Sequence, residues 1–544
     1  MNMQALKRLE FISERMRQME RLLAIAVSIA ALQVGAASSV STSESAQEPE
    51  RQALWPSADG RTSYVEWERP PDAPNGSCMI VLAEDGGESF VGRFSSIGCR
   101  CVRLVCGASR PEDAWKDGQR AVRLVRSQAA KRGFDLNRIG VVAMSGGARL
   151  AALLATSSQT SAYEPVDEID SGVPCNVNWA VVGAFDGPPD ASPAFQFDEK
   201  TAPMCMIHDG TDCRASLPLT QTYRRLKRMK IPSELHLCAG SPEGSWFDRA
   251  REFMTQMAFL GPLAPPGNIW LRYPDDNARG GYEKEPIWPD GKMPDVQTNQ
   301  CTPYIEWHMP KTLKTKAVQI IYSGGAYNKN SPNGNEVVPF RRYLNAKGMA
   351  VVTMKYRTPR PAPPLERHVT AWQDLQRAIR IVKSKAGAKG LDPDRIGIMG
   401  SSAGGHLSLL GAASSRTPAY TPIDELDEVP CNVQWAIVIY PGYVFAGFKM
   451  RPEAPDGGEV PLSPDLKFDS DTPPMILMQG DSDVWSSVGC VKVWERLGQM
   501  GVLCDLHTLA LRPHCFQNKA SPGTGSYTYL DQLWEFMVRI GVSK

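Results

Sequence analysis

The chain has 544 residues, is 42% hydrophobic and 22% charged, and sets 60 Lys plus Arg against 59 Asp plus Glu. That length exceeds one ordinary domain, and the composition is that of a globular protein. A net charge of +1 excludes recognition of nucleic acid or of an anionic membrane by bulk charge.

At the N-terminus, Leu22 to Leu32 is an apolar run of 11 residues, too short to span a bilayer as an ordinary helix. Arg15, Arg17 and Arg21 precede it, and Val34-Gly35-Ala36 follows in an A-x-A-like pattern. This predicts a secretory signal peptide over 1–37, ending at about residue 36, and so a secreted or periplasmic protein with no other membrane partner. Met16 or Met19 would give the charged region a more typical length, and 38–50 reads as a polar tether. The 13 cysteines include no C-x-x-C pair at zinc-site spacing, and any disulfide pairing is not legible.

The rest of the chain is written twice. "AYEPVDEIDSGVPCNVNWAVV" from Ala162 recurs as "AYTPIDELDEVPCNVQWAIV" from Ala419, and "NRIGVVAMSGGARLAALL" from Asn137 matches "DRIGIMGSSAGGHLSLL" from Asp394. "LWP" and "YVEW" near the front of the first copy return as "IWP" at Ile287 and "YIEW" at Tyr304. A period of about 240 to 280 residues is too long for a solenoid and marks a duplicated domain. The expected organisation is a first copy over 51–262, a Pro- and Gly-rich linker over 263–286, and a second copy over 287–544.

Each copy alternates short apolar runs with helical patterns, which predicts an α/β fold: two tandem domains, each a mostly parallel sheet with helices on both faces. In the second copy the spacing predicts helices over Pro339–Lys347, Val369–Lys385, Val488–Met500 and Tyr529–Ile540. Between them, Ile396–Met399 reads as a buried strand that breaks at Gly400-Ser401-Ser402-Ala403-Gly404 and re-enters a helix near Ala403. This is the G-x-S-x-G nucleophile elbow in its strand-turn-helix setting. The turn presents the Ser402 hydroxyl, and the helix start offers the Ala403 amide to a developing oxyanion.

An elbow serine needs an imidazole base and a carboxylate, in the chain order Ser, Asp, His. Only His406, His507 and His514 follow Ser402. His406 lies on the helix leaving the elbow and reads as packing or as a support behind the site, and His507 is mid-strand with a counterpart at His236. His514 falls in the loop after the last strand and is the expected base. The loop after the preceding strand offers Asp481 and Asp483 as the acid. Ser323-Gly324-Gly325-Ala326-Tyr327 follows an early strand and offers Gly324 and Gly325 amides for the oxyanion. Tyr327, Trp485 and Tyr440 adjoin these loops and are placed to line a sugar platform, with core packing as the alternative.

With "YSGGAY" at Tyr322, "MKYR" at Met354, the elbow block, "IYPGY" at Ile439, "QGDSDVW" at Gln479 and "PHCF" at Pro513, the second copy resembles the acetyl-esterase and acetylxylan-esterase-like branch of the α/β-hydrolases, near the feruloyl-esterase-like and hormone-sensitive-lipase-like groups. In such esterases the acid strand commonly ends H-G-x-x-D, and aligning Gln479-Gly480 with it puts the acid at Asp483. Departures are Ser323 for the usual Pro or His, Ala326 for Gly, Gln479 for His, and Cys515 for the Gly that usually follows the histidine. The resemblance implies a Ser402, Asp483, His514 enzyme acting on short acyl esters of plant polysaccharides, acetylated xylan above all. The chemistry calls for no metal or organic cofactor.

In the first copy Ser145 falls on Ser402, Asp212 on Asp483, and Gly86-Gly87 on Gly324-Gly325, but Glu243 stands where His514 should be and Ala143 replaces the first elbow glycine. That copy is expected to be a degenerate hydrolase. The function expected is a secreted serine carboxylesterase whose partner is an acylated carbohydrate. The alternatives are a feruloyl or aromatic-ester esterase, and a non-catalytic polysaccharide-binding scaffold. Oligomeric state is not legible.

Overall fold

The computed structural model describes residues 49–56, 62–82, 88–107, 110–144, 146–185, 195–208, 214–238, 240, 245–263, 282–450, 459–518 and 528–543. The expected signal peptide, nearly all of the tether, 264–281 of the expected linker, and Ser145, Asp212, Glu243 and Gly86-Gly87 lie outside these residues. Among the described residues no helix is long and apolar enough to cross a membrane, and the twelve described cysteines are free thiols.

Apolar runs such as Cys78–Leu82 and Trp435–Ile439 are buried along their whole length, because strands of a parallel sheet are covered by helices on both faces. The N-terminal half contributes β1 (Glu50–Ala53), β2 (Tyr64–Trp67), β3 (Cys78–Leu82), β4 (Arg100–Val105), β5 (Ile139–Ala143), β6 (Trp179–Val182), β7 (Met204–His208) and β8 (Ser233–Leu237). The C-terminal half repeats them as β9 (Lys284–Pro286), β10 (Tyr304–His308), β11 (Val318–Tyr322), β12 (Ala350–Lys355), β13 (Ile396–Ser401), β14 (Trp435–Ile439), β15 (Met475–Gly480) and β16 (Cys504–Leu509). The helices used below are α1 (Pro111–Ser127), α2 (Ala148–Thr156), α3 (Leu217–Arg228), α4 (Ser245–Gln256), α5 (Val338–Ala346), α6 (Val369–Ala386), α7 (Ala403–Ala413), α8 (Val488–Gln499) and α9 (Thr528–Arg539). The four helices expected in the second copy are found, each end within one residue of its expected place.

Where two sheets were expected, the strands among the described residues form one sheet of 16, ordered β1-β2-β4-β3-β5-β6-β7-β8-β16-β15-β14-β13-β11-β12-β10-β9. The order is palindromic: read inward from either edge it is the same α/β-hydrolase series. The two series meet at an antiparallel pairing of β8 with β16, with Leu237 opposite Leu506, His236 opposite His507, and Leu235 opposite Thr508. An isolated copy would leave that last strand as an open edge of unpaired amides and carbonyls, and pairing satisfies both edges at once. His236 and His507 thus face each other across the seam, their Nδ1 atoms 3.0 Å apart. The expected linker is also shorter than 263–286, since Lys284–Pro286 is strand β9, paired with β10.

The repeated sequence blocks are repeated hydrogen-bond sets. Trp55 donates to Asp117 and Trp288 to Asp374, both at 2.6 Å. Arg123 donates to Tyr163 and Arg380 to Tyr420, both at 3.0 Å. Arg120 on α1 bridges Asp167 and Asp170, as Arg377 on α6 bridges Asp424 and Asp427. The "VDEID" and "IDELD" segments therefore clamp equivalent helices, a structural duty independent of any chemistry.

Candidate active site

The elbow is built by exclusion of side chains. A Cβ on Gly400 would lie 2.2 Å from the Gly404 carbonyl oxygen, and one on Gly404 would lie 2.8 Å from that of Ser323, so both flanking positions demand glycine. Ser402, at the end of β13, is held at φ 57°, ψ −117°, a conformation that costs a non-glycine residue about 1–3 kcal/mol. Its backbone compensates with three bonds: its amide donates to the Ile439 carbonyl at 3.0 Å, and its carbonyl accepts from His406 at 3.0 Å and Gly442 at 3.1 Å. Helix α7, which follows, is buried on every residue, and this fixes the platform from which the hydroxyl projects.

The loops at the ends of β15 and β16 bring the other two groups to that hydroxyl. His514 Nε2 lies 2.8 Å from Ser402 Oγ, and His514 Nδ1 lies 2.8 Å from Asp483 Oδ2. The Asp483 side chain is fully buried while the imidazole is partly open. The Asp483 carboxylate also accepts from the Trp485 amide at 2.9 Å and from Gln479 Nε2 at 3.2 Å, which fixes its orientation toward the ring. The Tyr440 ring packs edge-on against the imidazole, centroids 4.8 Å apart. An imidazole held in this way can accept a hydroxyl proton on Nε2 while the carboxylate balances the charge from the Nδ1 side. The other acid candidate, Asp481, does not reach His514. It turns toward the N-terminal half, where Lys227 lies 2.9 Å away and the Tyr223 hydroxyl donates at 2.9 Å.

The glycine loop approaches the serine so closely that a Cβ on Gly324 would lie 2.5 Å from Ser402 Cβ. Its amide, however, already donates to Glu336 Oε2 at 2.6 Å. Of the three amides expected to face an oxyanion, those of Gly324, Gly325 and Ala403, the Gly324 amide is therefore engaged by a carboxylate. The Ala403 amide belongs to the first turn of α7, where N–H groups have no intrahelical acceptor.

Two aromatic expectations are corrected. Tyr327 and Tyr440 are fully buried and belong to the core, not to a sugar platform. Tyr327 is stacked on Tyr443 and hydrogen-bonded to His406 at 2.7 Å. Both tyrosines have positive φ, 60° and 34°. Trp485 is partly exposed beside the acid loop. His406 is buried, and burial holds its pKa well below the usual histidine value, as packing requires. Sequence reasoning missed Glu336 and the direct role of Gln479 in holding Asp483. Nothing in the motif marked Glu336, but Gln479 was legible as the residue standing where the family pattern has His.

Residues 305–438, from β10 through the elbow to β14, match the BD-FAE family model. Over 197 residues the chain is 29% identical to the probable carboxylic ester hydrolase LipM of Mycobacterium tuberculosis, covering 32% of this chain and 44% of that protein. The chain thus spans less than half the length of this curated relative. Among solved structures it resembles the acetyl ester-xyloside bifunctional hydrolase of Caldicellulosiruptor lactoaceticus, with 24% identity, TM-score 0.39, and coverage of 49% of this chain and 99% of that one. Esterase 2 of Thermogutta terrifontis gives 22% identity, TM-score 0.39, and coverage of 49% and 97%. The strand order, the BD-FAE match and the ester-hydrolase relative together support an α/β-hydrolase of the carboxylic ester hydrolase kind.

Proposed function

We propose that the protein is a secreted serine carboxylesterase that removes short acyl groups, acetyl foremost, from plant polysaccharides such as xylan, and that the C-terminal half performs the chemistry. The observation that carries this reading is the continuous set of 2.8 Å bonds from Ser402 through His514 to Asp483 at a strained elbow. Ser402 Oγ attacks the ester carbonyl as His514 Nε2 takes its proton, and Asp483 holds the ring in the tautomer that makes this transfer productive. The tetrahedral oxyanion is received by the Ala403 and Gly325 amides, with Glu336 fixing the loop through Gly324. His514 then returns the proton to the leaving sugar hydroxyl, and water repeats the attack on the acyl-enzyme to release the acid.

The acetyl preference rests on the sequence resemblance, and export rests on the apolar run at Leu22–Leu32. The N-terminal half takes no chemical part in this reading, because Glu243 stands where the base should be. The test is acetate release from acetylated xylan, run beside hydrolysis of p-nitrophenyl acetate and methyl ferulate. Acetate release far above ferulate release supports the proposal. Preferential ferulate release moves the assignment to aromatic esters, and inactivity on all three moves it to a binding role.

A further inference from the structure

The acid loop runs from Asp481 to Ser487 and carries Asp483, yet its two ends are held from the other half of the molecule. Tyr223 on α3 has its hydroxyl 2.9 Å from Asp481 Oδ1 and 2.6 Å from Ser487 Oγ. A carboxylate only accepts, so Tyr223 donates to Asp481 and accepts from Ser487. Tyr223 and Ser487 are fully buried, and Asp481 nearly so. One turn further along α3, Lys227 Nζ lies 2.9 Å from Asp481 Oδ1 and also donates to the Asp481 carbonyl. The Ser233 amide at the start of β8 completes the set at 3.4 Å from Asp481 Oδ2. Burial alone raises the Asp481 pKa, and the opposing charge of Lys227 is the largest influence that lowers it, so the cation is what keeps a carboxylate tenable there.

The histidine loop is gripped from the same side. Arg512, two residues before His514, donates to Gln256 at 3.0 Å on α4, and the Ala510 amide donates to Glu234 Oε1 at 2.9 Å on β8. Both loops that bring a group to Ser402 therefore terminate on side chains of the N-terminal half.

The arrangement is one-way. By the repeat, Asp481 corresponds to Gly210, Lys227 to Gly498 and Tyr223 to Trp494. Gly210 has no carboxylate and Gly498 no cation, while the Trp494 indole donates instead to the Cys504 carbonyl at 2.9 Å. The residues that grip Asp481 are thus not repeated in the opposite direction in the sequence.

We propose that the N-terminal half is a built-in positioning subunit for the C-terminal triad, with Tyr223 and Lys227 acting as positioning residues that hold Asp481 and so aim Asp483 at His514. This deepens the esterase reading and rests on it. A loosened Asp483 holds the imidazole less well in the orientation and tautomer that the proton transfer needs, so the loss falls on kcat rather than on substrate binding.

The test compares Tyr223→Phe, Lys227→Met and Lys227→Arg in the full chain, with p-nitrophenyl acetate as substrate. The readouts are kcat, KM and the melting temperature. Lys227 lies at the rim, with its side chain 21% exposed, so Lys227→Arg, which keeps the charge, is the variant that separates lost positioning from lost folding. The expected result is a kcat lowered about ten-fold or more in Tyr223→Phe and Lys227→Met, KM changed less than about two-fold, and recovery of kcat in Lys227→Arg. Variants that lose melting temperature but keep kcat would overturn the proposal and leave the contact merely structural. An inactive wild type would instead overturn the esterase reading, which separates the two failures.

Discussion

Gly480, the last residue of β15, packs directly against the backbone of the histidine loop, and Gly480→Ala is a sharp geometric perturbation of the site. A Cβ there would lie 2.0 Å from the Arg512 carbonyl oxygen, 2.7 Å from its carbon and 3.1 Å from the Pro513 carbonyl oxygen. Ordinary contact begins at 3.4 Å, so relief requires a movement of at least 3.4 − 2.0 = 1.4 Å. All three atoms are backbone, and no side-chain rotation can supply that movement. It must be taken up by the strand end leading to Asp483 or by the segment leading to His514, and either lengthens a bond that is now 2.8 Å. A misplacement of ~1 Å costs about 100-fold in rate when the chemistry depends on alignment. The expected outcome is kcat on p-nitrophenyl acetate down about 100-fold with KM altered only a few-fold. Gly387→Ala serves as control, since nothing lies within 4 Å of its Cβ position and its φ is −57°. A folded Gly480→Ala protein that keeps kcat within about three-fold of wild type would refute the reasoning.

Gln479→Met keeps the volume but removes the donor to Asp483, and should lower kcat about ten-fold; a pre-steady-state burst with p-nitrophenyl acetate unchanged in rate would contradict this. Cys515 and Ala326 both stand at positive φ, 63° and 55°, where related esterases carry Gly. Cys515→Gly and Ala326→Gly should each stabilise the fold by about 0.5–1 kcal/mol in thermal unfolding, the relieved strain exceeding the entropy of the freer unfolded chain. Burial pushes the Glu234 carboxyl up to about 8, against about 4.3 in the unfolded chain. The folded protein then keeps a proton that the unfolded chain loses, so this group's contribution is full below about pH 4 and is lost as pH rises through 8. Glu234→Gln should remove that slope from urea midpoints measured at pH 5, 6.5 and 8, and equal slopes in both proteins would exclude it.

The elbow and its partners were legible because the chemistry restricts them: a serine between glycines on a strand-to-helix turn, and two groups on later loops in a fixed order. The helices of the second copy were legible from periodicity. The single 16-stranded sheet was not, because its seam consists of three residue pairs on strands that each look complete alone. Asp483 was chosen over Asp481 only through the H-G-x-x-D resemblance, since what draws Asp481 away, Tyr223 and Lys227, lies more than 250 positions off in the sequence. The tyrosines failed for a local reason. Adjacency to a loop of the candidate site says where a residue is, but not which way its side chain goes, and Tyr327 and Tyr440 pack inward against Tyr443 and Phe516.

The most direct test of the central claim is to treat the protein with a fluorophosphonate probe, which is attacked by an activated serine, and to map the adduct by peptide mass spectrometry. The account predicts a single adduct on Ser402, lost together with esterase activity in Ser402→Ala and retained in Ser145→Ala. An adduct on Ser145, or undiminished ester hydrolysis in Ser402→Ala, would contradict it.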